Sequence, residues 1–316
     1  MINSAQINTT VVRRFSRLIA HQRLAHAYLL VGPKDSGKTQ TALGLAQLVN
    51  CESVTACGTC PPCRKIASGN HPDVHVTGND ELESIKIEDI RVLLSRAHLM
   101  AYEAKTKVFI IRNIEFMTTE ASNALLKTLE EPAANTLMIL TTSVPEVNLD
   151  TIKSRCHIIK FFPSATGQIE GALMEEGVKN GDAHFLALYS EGCLGKARSL
   201  IKQDILTERR RILEEMLLNR NNEAFLKELS KEPEGVSLAL NLLMSFFRDV
   251  LLLKNGISKT ELVHRDFLNE VEQFAARGFE DLSSIIRQIV QTKELLDEKL
   301  NVKMSLSLLR EHIWAN

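Results

Sequence analysis

Over the first half of the chain, short unbroken apolar runs alternate with longer stretches of helical periodicity. Val11, Val12, Phe15, Leu18 and Ile19 recur at helical spacing, which predicts an amphipathic helix over about 10–22. Ala27-Tyr28-Leu29-Leu30-Val31 is wholly apolar and ends at Gly32, as expected of a strand buried on both faces. A helix over about 37–49 follows. Past a cysteine-rich stretch, strands are predicted at 73–77, 108–111, 137–141 and 157–161, with helices at 88–100 and 118–129, the latter capped by Thr118 or Thr119. Strands alternating with helices of this length imply right-handed crossovers and a parallel sheet covered on both faces. From Ser164 onward no strand pattern survives, and the apolar residues fall at helical spacing with breaks near 177–181, 192–195 and 232–235. The expected fold class is α/β over 1–163, then a small helical segment at 164–204 and an all-helical region at 205–316. Broad apolar faces at 236–253 and 282–300 lie in the last of these.

Composition narrows the function classes. Lysine plus arginine number 38 against 39 acidic residues, a net charge of -1, so no bulk field marks a nucleic-acid or membrane binder. Any DNA contact must come from a local patch. Arg13, Arg14 and Arg17, and the run Arg209-Arg210-Arg211, are candidates, with a solvated helix face the favoured reading for both. Fifteen glycines, eight prolines and 5% aromatics argue for a helix-rich protein and against collagen-like or disordered classes. No uninterrupted apolar run approaches the roughly 18 residues that span a bilayer. Met1 to Gln6 lacks the charged-then-apolar order of a signal peptide. A cytoplasmic, reducing setting without a membrane partner is therefore expected, and there six cysteines are not read as disulfides.

Two local motifs carry chemistry. Gly32-Pro33-Lys34-Asp35-Ser36-Gly37-Lys38-Thr39 has two glycines spaced for a phosphate loop, followed by lysine and a hydroxyl residue, between a predicted strand and a predicted helix. Gly32 and Gly37 let backbone amides curl round a phosphate, Lys38 reaches its outer oxygens, and Thr39 can hold Mg²⁺ at a helix N-terminus. The alternative is a turn that has kept the string and lost the nucleotide. A working NTPase also needs carboxylates at the end of a neighbouring strand. Here that strand runs into Arg112 and Asn113, with Glu115 displaced to the following turn, which predicts a site that binds nucleotide yet turns it over poorly.

The second motif is Cys51, Cys57, Cys60 and Cys63. Cys57-x2-Cys60 has the turn spacing that lets two thiolates grip one tetrahedral ion, and structural Zn²⁺ is the favoured ligand. An iron-sulfur cluster and a redox pair at Cys60 and Cys63 remain open. Four cysteines leave no position for water, so catalysis by the metal is not expected. Cys156 and Cys193 stand apart and are read as small buried apolar residues.

One family shows these features in this order: His26-Ala27-Tyr28-Leu29-Leu30-Val31-Gly32, the phosphate loop, the inserted four-cysteine module, Asn70-His71-Pro72-Asp73, Lys107-Val108-Phe109-Ile110-Ile111, the run from Ser122-Asn123-Ala124 to Glu130-Glu131-Pro132, and Ser154-Arg155-Cys156. The chain resembles the bacterial clamp-loader subunits of the AAA+ class. The resemblance is dense over 10–162, weaker to about 202 and architectural beyond. It implies an AAA+ nucleotide-binding domain with a zinc module at about 51–70, a helical lid at 164–204 and a helical collar for oligomerisation at 205–316.

It further implies partners: gamma/tau and delta types in a ring of five, with the sliding clamp and primed DNA reached through the assembled complex. In that family ATP sits between neighbours, and the arginine of the Ser-Arg-Cys motif, here Arg155, acts in trans on the next subunit's ATP. Thr141 falls at the sensor position. Arg112 and Asn113 stand where motor subunits carry acids, and Gly195 stands where they carry a lid arginine, with Lys196 beside it. These departures predict a non-motor stator subunit of DNA polymerase III in DNA replication. The alternative is a gamma/tau-type ATPase motor.

Overall fold

The computed structural model describes residues 9–78, 84–144, 150–221, 223–297 and 302–314. Met1 to Gln6 and the expected helix end at 298–300 lie outside them. The chain divides into two compact units, one of residues 1–164 with 193–196, the other of 165–192 with 197–316.

The first unit is built on a five-stranded parallel sheet. Its elements are α1 (Thr9–Ala20), β1 (Ala27–Val31), α2 (Lys38–Asn50), α3 (Pro61–Ser68), β2 (Val74–Thr77), α4 (Ile87–Ala97), β3 (Lys107–Ile111), α5 (Thr119–Glu130), β4 (Thr136–Thr142), α6 (Asp150–Lys153) and β5 (His157–Lys160). The strand order is β2-β3-β4-β1-β5, every pair parallel. β1, β3 and β4 are buried at every residue, as strands covered on both faces must be. Alternate residues divide the core. Leu29, Phe109 and Met138 pack with Ile90 and Leu93 of α4 and Leu125 of α5. Tyr28, Leu30, Ile110 and Ile139 face the other way, against Phe15 of α1 and Leu45 and Leu48 of α2. Thr118 caps α5, accepting a hydrogen bond from the Ala121 amide.

The cysteine stretch, expected as a loop, contains α3. It opens on Pro61 and Pro62 and ends at Gly69 in the left-handed region, φ 77°, the proline-in, glycine-out asymmetry of a short capped helix.

The second unit is all helical: α7 (Thr166–Glu175), α8 (Asn180–Tyr189), the part of α9 (Leu194–Lys202) from residue 197 on, α10 (Ile205–Leu217), α11 (Glu223–Leu229), α12 (Pro233–Lys254), α13 (Leu268–Ala275), α14 (Phe279–Asp297) and α15 (Val302–Trp314). By length and composition α12 could cross a membrane. It packs as a core helix, with Phe246 and Phe247 wholly buried and edge-on to one another and to Phe274 of α13. Apart from 193–196, the helices at 165–202 group with those beyond 205. The join is a buried polar cluster. His184 Nε2 meets the Leu262 carbonyl at 2.9 Å, and Arg209 stacks on Phe185 at 4.1 Å while its Nε donates to His264 Nδ1. Arg209 is only 2% exposed. It is therefore neither a DNA-facing arginine nor part of a solvated face, and the triple-arginine patch is corrected accordingly.

Candidate functional site

Three features of the first unit gather the residues singled out from sequence. The first is a cavity of about 350 Å³ at the carboxyl end of the sheet, where the turn after β1 opens α2. This is where ligands of open α/β sheets bind. Gly37 takes φ 83° as the cap of α2, a conformation open to glycine at no steric cost. Lys38 is 5% exposed, and its ammonium donates to the carbonyls of Gly32 at 2.8 Å and Pro33 at 2.6 Å. Burial lowers its pKa, opposed by the charges of Glu115 and Asp35. Lys38 and Thr39 both line the cavity.

Gly32 is fixed by close approach. A Cβ built on it would sit 2.5 Å from the Phe161 carbonyl oxygen and 2.7 Å from Phe161 Cβ. Phe161 cannot retreat, because its amide donates to the Val31 carbonyl at 2.7 Å. Gly32→Ala is expected to cost about 1–3 kcal/mol through forced overpacking. An unchanged denaturant midpoint would contradict this.

Arg112 and Asn113, the first two residues after β3, both line the cavity, and so does Gly195. Lys196 does not. Glu115 reaches in from a 3₁₀ turn at Ile114–Phe116, where its Oε1 accepts the Ser143 amide hydrogen at 2.9 Å and its buried Oε2 has no hydrogen-bond partner among the described residues. Thr141 is wholly buried, its hydroxyl accepting the Asn113 amide hydrogen at 3.1 Å, and it does not line the cavity. Just past β4, Ser143 lines the cavity, with its Oγ 3.4 Å from Lys38 Nζ. The sequence reading does not point to Ser143, which follows the strand and reaches the cavity through the tertiary contact with Lys38.

The second feature is the cysteine cluster. The Sγ atoms of Cys51, Cys57, Cys60 and Cys63 lie within 4.8 Å of one another, and all four are free thiols. Cys51 and Cys60 are 3.9 Å apart, close to the roughly 3.8 Å edge of a tetrahedron of thiolates at Zn–S of about 2.3 Å. The Cys60 amide points at the Cys57 sulfur at 3.4 Å, and the Cys57 amide at the Cys51 sulfur at 3.5 Å. Burial works against ionisation of Cys51 but is outweighed by donors from Cys57, Ser53 and Thr55, which bring its pKa down to about 4. The Thr59 hydroxyl and Cys60 amide bring Cys57 to about 7, while burial pushes Cys63 up. This donor set fits a tetrahedral soft ion. Cys156 lies outside it, its thiol raised to about 12 by burial, and Cys193 is buried.

The third is Arg155, on the turn between α6 and β5, outside the chain's own cavity. Its side chain is 32% exposed. Nε donates to Glu130 Oε1 at 2.7 Å, a second nitrogen bonds the same carboxylate, and a third donates to the Thr151 carbonyl at 2.8 Å. Glu130, the last residue of α5, thus aims the guanidinium. Spacing along the chain carries no trace of this pairing.

Comparison with known proteins matches residues 7–165 to a family described as DNA polymerase III, delta subunit, and residues 203–311 to its C-terminal counterpart. The chain is 33% identical over 310 residues to the DNA polymerase III subunit delta' of Bacillus subtilis, covering 94% of this chain and 93% of that protein. It is 36% identical over 194 residues to the DNA polymerase III subunit tau of Escherichia coli, covering 58% of this chain and 30% of that one. Among solved structures, a DNA polymerase III gamma subunit-related protein of Thermotoga maritima aligns at TM-score 0.44 and 19% identity, over 96% of this chain and 99% of that chain.

Proposed function

Because the chain belongs to the delta-prime family of DNA polymerase III clamp-loader subunits, we propose that it is the non-motor stator of a clamp-loader ring in DNA replication, presenting Arg155 to the ATP of a neighbouring subunit. The observation that carries this is a contrast between two sites. The chain's own phosphate cavity has Arg112 and Asn113 where a motor needs acids, while Arg155 stands partly exposed on a turn outside that cavity. A guanidinium delivered to a γ-phosphate neutralises charge that develops as the phosphoryl group transfers.

In this role the phosphate loop, through Gly32, Gly37, Lys38 and Thr39, binds nucleotide without turning it over. Cys51, Cys57, Cys60 and Cys63 hold a structural zinc ion. Residues 164–204 act as lid and 205–316 as the collar that joins gamma/tau-type and delta-type partners in a hetero-pentamer. Sliding clamp and primed DNA are met through the complex, in the cytoplasm.

The chain alone is expected to show negligible ATP turnover. Glu115 in the cavity favours a gamma/tau-type motor. A robust Mg²⁺-dependent rate in the purified chain, lost in Lys38→Ala, would establish that alternative and end the stator proposal.

A further inference from the structure

Of the two arginine groups noted in the sequence, Arg209 is buried, but Arg13, Arg14 and Arg17 of α1 are exposed. Together with Leu18, His21 and Arg23 they line a cavity of about 560 Å³. Val11 and Phe15 bury the opposite face of α1 against Tyr28, Leu45 and Leu48, which leaves Arg13 and Arg17, four residues and so about 6 Å apart along the axis, on the outer face. The chain then turns at Gln22, φ 53°, and the Arg23 amide donates to the Leu18 carbonyl at 2.8 Å, a helix-ending bond that holds Arg23 beside the last turn. None of these four arginine side chains has a carboxylate partner among the described residues, whereas Arg155, Arg198, Arg209 and Arg211 each have one. Nor does the neighbouring sequence hold one, since the first acidic residue of the chain is Asp35, after four arginines and Lys34. A chain of net charge -1 thus gathers uncompensated positive charge at one helix face. This face is apart from the sites already described. The cavity shares no residue with the phosphate site, and α1 packs on one side of the sheet with α2, while Ile152, close to Arg155, packs on the other with α4 and α5.

We propose that the α1 cavity docks the phosphate backbone of a nucleic-acid duplex, without regard to its sequence. A guanidinium is always charged and grips phosphate oxygens with a planar fork. Several of them in a row release condensed counterions from a polyphosphate chain, which is the main source of sequence-independent affinity. The lining has no phenylalanine, tyrosine or tryptophan on which the bases of a single strand could stack. It also has no amide side chain to read a base edge. Phosphate charge is therefore what this surface recognises, and a duplex presents it densely, one charge per about 1.7 Å of axis. The inference goes beyond the function proposed above, in which nucleic acid is met through the complex, and it depends on neither Arg155 nor the phosphate loop.

The test is fluorescence anisotropy of the full chain with a labelled duplex of about 20 base pairs and scrambled sequence, titrated between about 50 and 200 mM salt. Four arginine contacts predict that log K falls against log salt with a slope of about -3 to -4. Arg13→Ala and Arg17→Ala should each reduce that slope by about 0.9 and weaken binding about tenfold at about 50 mM salt. Arg13→Lys and Arg17→Lys, which keep the charge and the helix, should hold the slope. Arg210→Ala removes an exposed arginine outside the cavity and should change neither quantity. A duplex that does not bind, a slope unchanged in the Arg13→Ala, Arg17→Ala double variant, a slope lost in the lysine variants, or an equal loss in Arg210→Ala would each overturn the proposal. So would tighter binding of a single strand of equal charge or of inorganic polyphosphate. Arginine-dependent capture by phosphatidylserine vesicles without duplex binding would likewise overturn it and assign the patch to a lipid surface.

Discussion

Replacing Arg155 by alanine in the reconstituted complex is expected to slow ATP cleavage at the one junction that receives it by about 10³-fold or more, the usual worth of an arginine finger, while the complex still assembles. Arg155 is partly exposed and paired with an exposed carboxylate, and such pairs contribute about 1 kcal/mol or less to folding. A rate loss far larger than any stability loss therefore separates a catalytic arginine from a structural one. Single-turnover hydrolysis of the complex measures the first, and thermal melting of the chain the second. Unchanged single-turnover rates would take Arg155 out of the neighbour's site.

Glu130 refines the test. It bonds two nitrogens of Arg155 and thereby limits the directions the guanidinium can take. As a positioning residue, its removal in Glu130→Ala should lower kcat at that junction with little change in KM, and Glu130→Asp should restore part of the loss. If Arg155→Ala slows the complex and Glu130→Ala does not, the finger stands and only its positioning fails.

How much of this was legible in sequence follows from how completely each element's environment is written in its own residues. β1 is read residue for residue, and the other strands to within a residue or two, because apolar runs between polar flanks leave little choice of register. α3 lies where the sequence reads as a cysteine loop, and its two prolines sit in the first turn, where proline is at home in a helix. Arg209 shows pattern losing to composition. It stands in a run of three arginines, yet it falls with Ile205, Ile212, Leu213 and Met216 on the buried stripe of α10, where the 3.6-residue period points inward. Apart from 193–196, the grouping of 165–202 with the later helices depends on contacts such as His184 with the Leu262 carbonyl, 78 positions apart, and Arg209 with Phe185 and His264. No local pattern encodes that. The phosphate loop and the four cysteines were recoverable because their chemistry requires fixed spacing, whereas Ser143 and Glu130 act through tertiary contact.

Stripping metal from the cysteine module is expected to unfold residues 51–70 and leave the sheet intact. Of those twenty residues, Cys51, Cys63 and Ile66 alone are buried, so two of the three interior side chains are themselves thiol ligands. A segment with so little apolar burial cannot offset its own ordering entropy, which runs at about 1–2 kcal/mol per residue for the backbone. Val54 and Ala56 add to this by holding φ values of 57° and 53°, each costing about 1–3 kcal/mol. A structural zinc site contributes about 10–16 kcal/mol in small thiolate peptides, a large favourable contribution that goes with the ion. The module is grafted between α2 and β2, whose core contacts belong to the sheet, so loss of the ion need not propagate. Elemental analysis should find about one zinc per chain. Hydrogen exchange after chelation should quicken by orders of magnitude over 51–70, with β1, β3 and β4 still protected. Exchange over 51–70 that is unchanged once the metal is gone would mean the loop is held by its own packing. A visible charge-transfer band in the purified protein would assign the four thiolates to an iron-sulfur cluster instead.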